Sequence, residues 1–257
     1  MKTKLEDFIK EYVRTYPVYN HTVTTWGEPL IAYARADNPL FFELKKVISA
    51  THALPTDLLN DAKTVITYFL PFHKDISKSN VGGKLSSDQW AVAYVETNKL
   101  ISELNKAVHE KLKEFHYHAT LLPATHNFNQ EELISDWSHR HVAYIAGLGK
   151  FGLHQLLITE KGCCGRIGSI VTNIEIQATE RSEEEYCLYK HNKTCGKCVE
   201  ECVNDALTIN HFDRYKCYEN CLKNADHYSE IGLADVCGKC ISNVPCSYIN
   251  PVMKLKK

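Results

Sequence analysis

The first sixteen residues place Leu5, Phe8, Ile9, Tyr12 and Val13 at three- and four-residue intervals among charged positions, which predicts an amphipathic helix closed by Pro17. A second helix is expected over residues 40–48. The run AKTVITYFLPF is rich in β-branched and aromatic residues and predicts a buried strand ending at Pro71, followed by chain reversal in SKSNVGGKLSS. From Asp88 to His116, the positions Ala91, Val95, Leu100, Leu104, Val108 and Leu112 keep helical spacing and predict a long helix laid against a sheet. HATLLPA then reads as a short strand and residues 130–146 as a helix. HQLLIT and RIGSIVTNIEI read as strands flanking the loop EKGCCG.

This pattern stops at the charged stretch TERSEEEYCLYKHNKT, whose composition suits a solvated connector. The expected organisation is therefore α+β: an α/β domain over residues 1–180, then a small domain over residues 181–257. The second part is cysteine-dense and poor in long apolar runs, so it needs cofactors or crosslinks to hold it together. A chain of 257 residues with 44% hydrophobic and 24% charged side chains can bury a substantial core, which excludes a disordered protein. Its net charge of -1 supplies no overall field toward nucleic acid or an anionic membrane. The opening MKTKLEDFIKEYVRTYP lacks a signal peptide's apolar stretch, and no run of about 18 apolar residues follows, so a cytoplasmic protein with no membrane association is expected.

Nine of the eleven cysteines lie between Cys187 and Cys246, including the pairs Cys195/Cys198 and Cys237/Cys240. A tight CxxC turn presents two thiolates to one metal centre, and in a reducing compartment such clusters bind metal more often than they form disulfides. Eight thiolates suffice for two four-iron four-sulfur clusters. Two-cluster ferredoxins send the last cysteine of each run to the other cluster. That crossover assigns Cys187, Cys195, Cys198 and Cys246 to one cluster and Cys202, Cys217, Cys237 and Cys240 to the second, with Cys221 as an alternative to Cys217. A single four-thiolate zinc site is the rival, and it would leave five of the nine cysteines without a ligand role. Val203 stands where ferredoxin runs place proline. Cys163 and Cys164 are adjacent and are read as packing or pocket residues. His139 and His141 are two apart and do not share a helix face.

Gly147, Gly149 and Gly152 form a GxGxxG spacing, but a helix is expected to enter the loop and a strand to leave it, the reverse of a dinucleotide-binding turn. The order of AKTVITYFLPF, HRHVAYIAGLGKFGLHQLLIT, GRIGSIVTN and the CxxC array resembles epoxyqueuosine reductases and their wider family, which includes the corrinoid reductive dehalogenases. The resemblance runs from about Asp61 to Pro251 and implies a nitroreductase-like α/β domain followed by a two-cluster ferredoxin-like domain, with cobalamin held between them. It makes Gly147, Gly149, Gly152, Arg166, Gly168 and Ser169 candidates to line a corrinoid or substrate cavity. Glycines allow close approach to a flat cofactor, and Arg166 could pair with an amide oxygen or a phosphate.

The chain departs from the family in three places. Leu153-His154 replaces the family's Lys-His after the third loop glycine. The family's proton-donating aspartate aligns near Leu133, leaving Asp136, then Tyr144 and His141, as candidate proton donors. The helical repeats with which the longer reductases hold tRNA do not follow the second CxxC, so tRNA is a doubtful partner. The expected function is a reductase that takes electrons from a low-potential donor such as ferredoxin or flavodoxin and delivers them to a cavity-bound corrinoid or small molecule. The alternative is a non-catalytic electron-transfer or corrinoid-handling partner protein, marked by a shallow cavity and an exposed cluster edge.

Overall fold

The computed structural model describes residues 1–256. Helix α1 (Lys2–Asn20) buries Leu5, Ile9, Val13 and Tyr16 along one stripe. It corrects the expected stop at Pro17, because proline in a last turn forfeits only its own amide bond. The helix ends instead at His21, whose left-handed backbone (φ 50°) lets its N–H donate to the Pro17 carbonyl. Strand β1 (Leu30–Arg35), which the sequence pattern did not single out, is followed by α2 (Leu40–Val47) and the single turn α3 (Pro55–Leu58). Strand β2 (Thr64–Pro71) matches the apolar run and is buried at every position. After α4 (Lys74–Ser79) comes the 26-residue helix α5 (Asp88–Lys113), whose first turn is capped by the Ser87 hydroxyl accepting from the Trp90 N–H.

HATLLPA makes only one bridge, Ala119 with Thr172, where a strand was expected. The helix expected over residues 130–146 is also corrected. Its first half belongs to a hairpin of β3 (His126–Asn129) and β4 (Ile134–Trp137), and only α6 (His139–Ile145) is helical. The turn between the strands is closed by the Asn129 side-chain oxygen, which accepts from the N–H groups of Glu131 and Glu132. Two short strands, β5 (Lys150–Phe151) and β6 (Leu157–Ile158), pair across the glycine-rich loop, and β7 (Gly165–Thr172) returns to the main sheet.

That sheet has the order β1-β2-β7 and is antiparallel throughout. Alternation along β2 sends Ile66, Tyr68 and Leu70 to the face covered by α1 and α5, and Val65 and Phe69 to the face covered by α2 and α6. A strand sandwiched between two helical layers reads as a continuous apolar run, and each large side chain buried there stabilises the fold by roughly 1.5–3 kcal/mol.

The C-terminal segment is built from α7 (Leu188–Asn192), α8 (Lys197–Glu200), α9 (Arg214–His227) and α10 (Lys239–Ser242). Its buried Cys187, Cys198, Leu207, Ile241, Val244 and Cys246 belong to the same core as α1, α5 and the sheet. The loop before α5 clamps the second CxxC. Asn80 and Ser86 both donate to the Cys237 carbonyl at 3.0 Å, and the buried Lys239 ammonium donates to the carbonyls of Asn80 at 3.0 Å and Gly82 at 2.6 Å. Among the described residues no helix is long and apolar enough to cross a membrane.

Candidate functional site

Two cavities divide the cysteines. The first is lined by Cys187, Cys195, Cys198 and Cys246, together with Leu153 and His154. Cys187 precedes α7, Cys195 stands in the turn before α8, Cys198 lies on α8, and Cys246 follows α10. Three of the four are buried and Cys195 is half-buried, which leaves one edge of the set toward solvent. Burial pushes the Cys198 thiol up to about 12, so without a cation the site keeps this sulfur protonated.

The second cavity has a volume of about 270 Å³ and brings Cys202, Cys217, Cys221, Cys237 and Cys240 to one wall. Cys217 and Cys221 lie one turn apart on α9 and hydrogen-bond to each other. The Cys221 thiol is the largest influence drawing Cys217 down to about 7, with the Arg140 charge assisting against burial. Cys221 is driven the other way by the same bond and by burial, so it is the partner that holds the shared proton. Arg140, Arg166, Tyr94 and Trp90 line the same cavity. His154 lines both cavities and stands between them.

Among the described residues, the group of three histidine, cysteine or carboxylate ligand atoms lying within 4.8 Å of one another is His154, Cys163 and Cys246. A four-thiolate zinc site, with Zn–S bonds of about 2.3 Å, would bring its sulfurs to within ~4 Å of one another. Among the described residues neither CxxC pair belongs to a group contracted in that way. Cys163, read from the sequence as a packing residue, is buried and donates its N–H to the Cys246 carbonyl at 3.0 Å.

The fit to a corrinoid is poor. A Cβ added at Gly149 would meet the backbone of Ile158, one at Gly152 would meet the His154 ring at 2.6 Å, and one at Gly168 would meet the Tyr68 ring. Gly147 faces Glu180 and Arg181 in the same way. These glycines allow the chain to pack against itself, and the space beside them is filled. Ser169 is buried and its hydroxyl is engaged by Trp137 Nε1 at 2.9 Å and His139 Nδ1 at 2.8 Å. Of the six residues proposed to line a cofactor cavity, Arg166 reaches the larger cavity. Drug-sized ligands already occupy roughly 300–1,000 Å³, so a corrinoid exceeds what a 270 Å³ space can hold beside the cysteines.

Asp136, His141 and Tyr144 do not line that cavity. The Asp136 carbonyl accepts from the Ala53 N–H at 2.7 Å, His141 bonds Ser138 Oγ at 2.7 Å, and Tyr144 packs on Phe151 beneath the Arg181 guanidinium. Their neighbour Arg140 does line it, since successive helical residues point about 100° apart. The sequence reading missed Arg140 because the flanking histidines drew the attention. Tyr94 and Asp235, paired by a 2.7 Å hydrogen bond, were also missed, being 141 positions apart in sequence.

No family model matches the chain, and no curated protein matches it. Solved structures do. An epoxyqueuosine reductase from Streptococcus thermophilus superposes with a TM-score of 0.60 at 16% identity, covering 96% of this chain and 66% of that one. The chain shares the epoxyqueuosine reductase fold. A Bacillus subtilis epoxyqueuosine reductase, with its catalytic aspartate loop swung out of the active site, gives 0.58 at 16% identity over 95% of this chain and 66% of its own. A catabolic reductive dehalogenase in complex with 3-bromo-4-hydroxybenzoic acid gives 0.59 at 16% identity, covering 88% of this chain and 31% of that one. The chain thus spans about two thirds of the epoxyqueuosine reductases' length and under a third of the dehalogenase's.

Proposed function

We propose that the chain is an iron–sulfur reductase that passes single electrons through two four-iron four-sulfur clusters to a small substrate in the part of the 270 Å³ cavity that the second cluster leaves free. The observation that carries this reading is the division of nine cysteines into a set of four and a set of five, each around its own cavity, with the second set opening onto the larger space. The fold shared with epoxyqueuosine reductases and a reductive dehalogenase supports the same chemical class. Cys187, Cys195, Cys198 and Cys246 would hold one cluster, and Cys202, Cys217, Cys237 and Cys240 the other. Such clusters supply one-electron transfer at potentials set by burial and by hydrogen bonds to sulfur.

The remaining residues supply the rest of the site. The half-buried edge at Cys195 faces solvent and suits docking of a low-potential donor of the ferredoxin or flavodoxin type. His154 donates toward the Cys246 sulfur and closes the wall between the cavities. Leu156, Leu207 and Ile241 exclude water from the larger cavity. Tyr94, held protonated by burial and hydrogen-bonded to Asp235, is the proton-bearing group facing the substrate space.

Anaerobic purification followed by iron and sulfide analysis and electron paramagnetic resonance of the reduced protein tests the reading. About eight irons with two interacting cluster signals are expected. One zinc per chain, or iron-free protein after anaerobic reconstitution, would overturn it. Eight irons with a cavity that admits no small molecule would shift the assignment to an electron-transfer partner protein.

A further inference from the structure

The larger cavity sets two arginines beside the second cysteine set. The Arg166 guanidinium lies 4.1 Å from the centre of the Tyr94 ring and donates to Asn98 Oδ1 at 2.7 Å. Both partners come from α5. Arg140 donates to the Gln155 carbonyl at 2.9 Å at the cavity mouth, where the residue keeps contact with solvent. The surrounding protein disfavours the charge on Arg140, the Cys217 sulfur favours it, and Arg166 and Arg214 stand near enough to disfavour it further. None of the three arginines forms an ion pair among the described residues.

The acceptor within this lining that carries a full charge, the Asp235 carboxylate, already takes the Tyr94 hydroxyl. Arg166 spends one N–H on Asn98 and Arg140 one on the Gln155 carbonyl, which leaves the rest of each guanidinium fork without a carboxylate. An oxyanion is the ligand that matches two such forks.

We infer that the larger cavity binds a small oxyanion, a carboxylate- or phosphate-bearing molecule, whose charged end pairs with Arg140 and Arg166 while its remainder faces the second cysteine set. This assigns a substrate class to the proposed reductase and rests on that reading. Guanidinium planes match carboxylate and phosphate oxygens two at a time, which lysines in the same places would not. A neutral compound of the same shape leaves the arginines unpaired and is disfavoured. The cavity volume limits the ligand to a molecule smaller than a typical drug, which bars a nucleic-acid stem or a corrinoid from lying inside it.

The test is isothermal titration calorimetry on anaerobically prepared, iron-loaded protein at fixed ionic strength. The probes are inorganic phosphate, hexanoate, hexanamide and hydroxocobalamin. Saturable binding of phosphate or hexanoate is expected, with hexanamide at least about tenfold weaker and hydroxocobalamin not retained on gel filtration. Arg166→Gln and Arg140→Gln should each weaken the anion about tenfold, and Arg166→Lys should recover part of the loss. Thermal unfolding of each variant separates lost binding from lost folding. Equal binding of hexanoate and hexanamide, anion binding untouched in both glutamine variants, no saturable binding of either anion, or stoichiometric retention of hydroxocobalamin would each overturn the inference. Iron content is measured on the same samples. Iron-free protein that still binds the anion would defeat the reductase reading and leave this site standing.

Discussion

His154 Nε2 lies 3.4 Å from Cys246 Sγ, and the tautomer is fixed by the other ring nitrogen. Nδ1 accepts the Leu156 N–H at 3.1 Å, so the proton sits on Nε2 and points at the sulfur. The missing Cβ of Gly152 makes room for this ring, which explains a loop glycine that the sequence left open between a turn and a cofactor cradle. An N–H donated to a ligand sulfur favours the more reduced, more negative cluster. His154→Leu should therefore shift the potential of the first cluster negative by on the order of 50 mV, equivalent to about one hydrogen bond for a one-electron couple. A redox titration followed by electron paramagnetic resonance reads the shift. An unchanged potential would show that the ring only fills space.

In the proposed second cluster Cys217 and Cys221 are rivals for one ligand position, and their shared proton decides between them. Cys217 gives up its proton at about 7, helped by the Cys221 thiol and the Arg140 charge, and a metal needs the thiolate. Cys217→Ser should lower iron from about eight to about four atoms per chain, whereas Cys221→Ser should keep about eight. Iron analysis of the two variants side by side measures this, and the reverse result would move the ligand to Cys221.

The two CxxC pairs were legible in the sequence because their spacing is a local property. Helices α1, α2 and α5 and strand β2 were legible for a similar reason, since burial on one or two faces writes its period into the chain. The β3–β4 hairpin was not. Glu131 and Glu132 are good helix formers by intrinsic preference, and the turn is set by the Asn129 side chain and by a left-handed backbone at Leu133 (φ 53°), which no periodicity records. Apart from Arg166, the cavity's polar lining was hidden for another reason. Trp90, Tyr94, Arg140 and Asp235 come from α5, α6 and the loop before α10, and they meet only after the chain has folded.

His141, a candidate proton donor from sequence, has a stability role that the geometry makes measurable. Burial, reinforced by the Arg140 charge and by His52, depresses its pKa from 6.5 to about 4. Between those values the unfolded chain binds a proton that the folded chain refuses, so stability is fully present above about pH 6.5 and declines as pH falls to about 4. His52, also lowered chiefly by burial, acts in the same direction. His141→Gln should flatten the decline of the urea midpoint across this window while leaving iron content unchanged. A midpoint equally acid-sensitive in the variant would place the effect elsewhere.

Tyr94 should carry a proton to the substrate, because it lines the cavity and donates to Asp235 whereas Asp136, His141 and Tyr144 do not reach that space. Tyr94→Phe is expected to lower reduction of a bound substrate by about 10²-fold, the usual contribution of a general acid, with iron content and cluster potentials preserved. Stopped-flow reoxidation of the reduced protein, with and without substrate, separates proton delivery from electron delivery. A similar loss in Asp136→Asn and none in Tyr94→Phe would restore the donor expected from the sequence.

Gly238 sits between Cys237 and Cys240 with a left-handed backbone (φ 71°), and a Cβ there would run into the Trp90 indole. Both effects act against any side chain. The left-handed conformation costs a non-glycine residue about 1 kcal/mol, and the collision forces either α5 or the CxxC turn to move. Gly238→Ala should therefore destabilise the fold by roughly 2–4 kcal/mol and loosen the second cysteine set before the first. Thermal unfolding together with the loss rate of each cluster signal on chelator challenge measures it. If both signals decay together, the clamp between Trp90 and the second CxxC stabilises the whole C-terminal segment as a single unit.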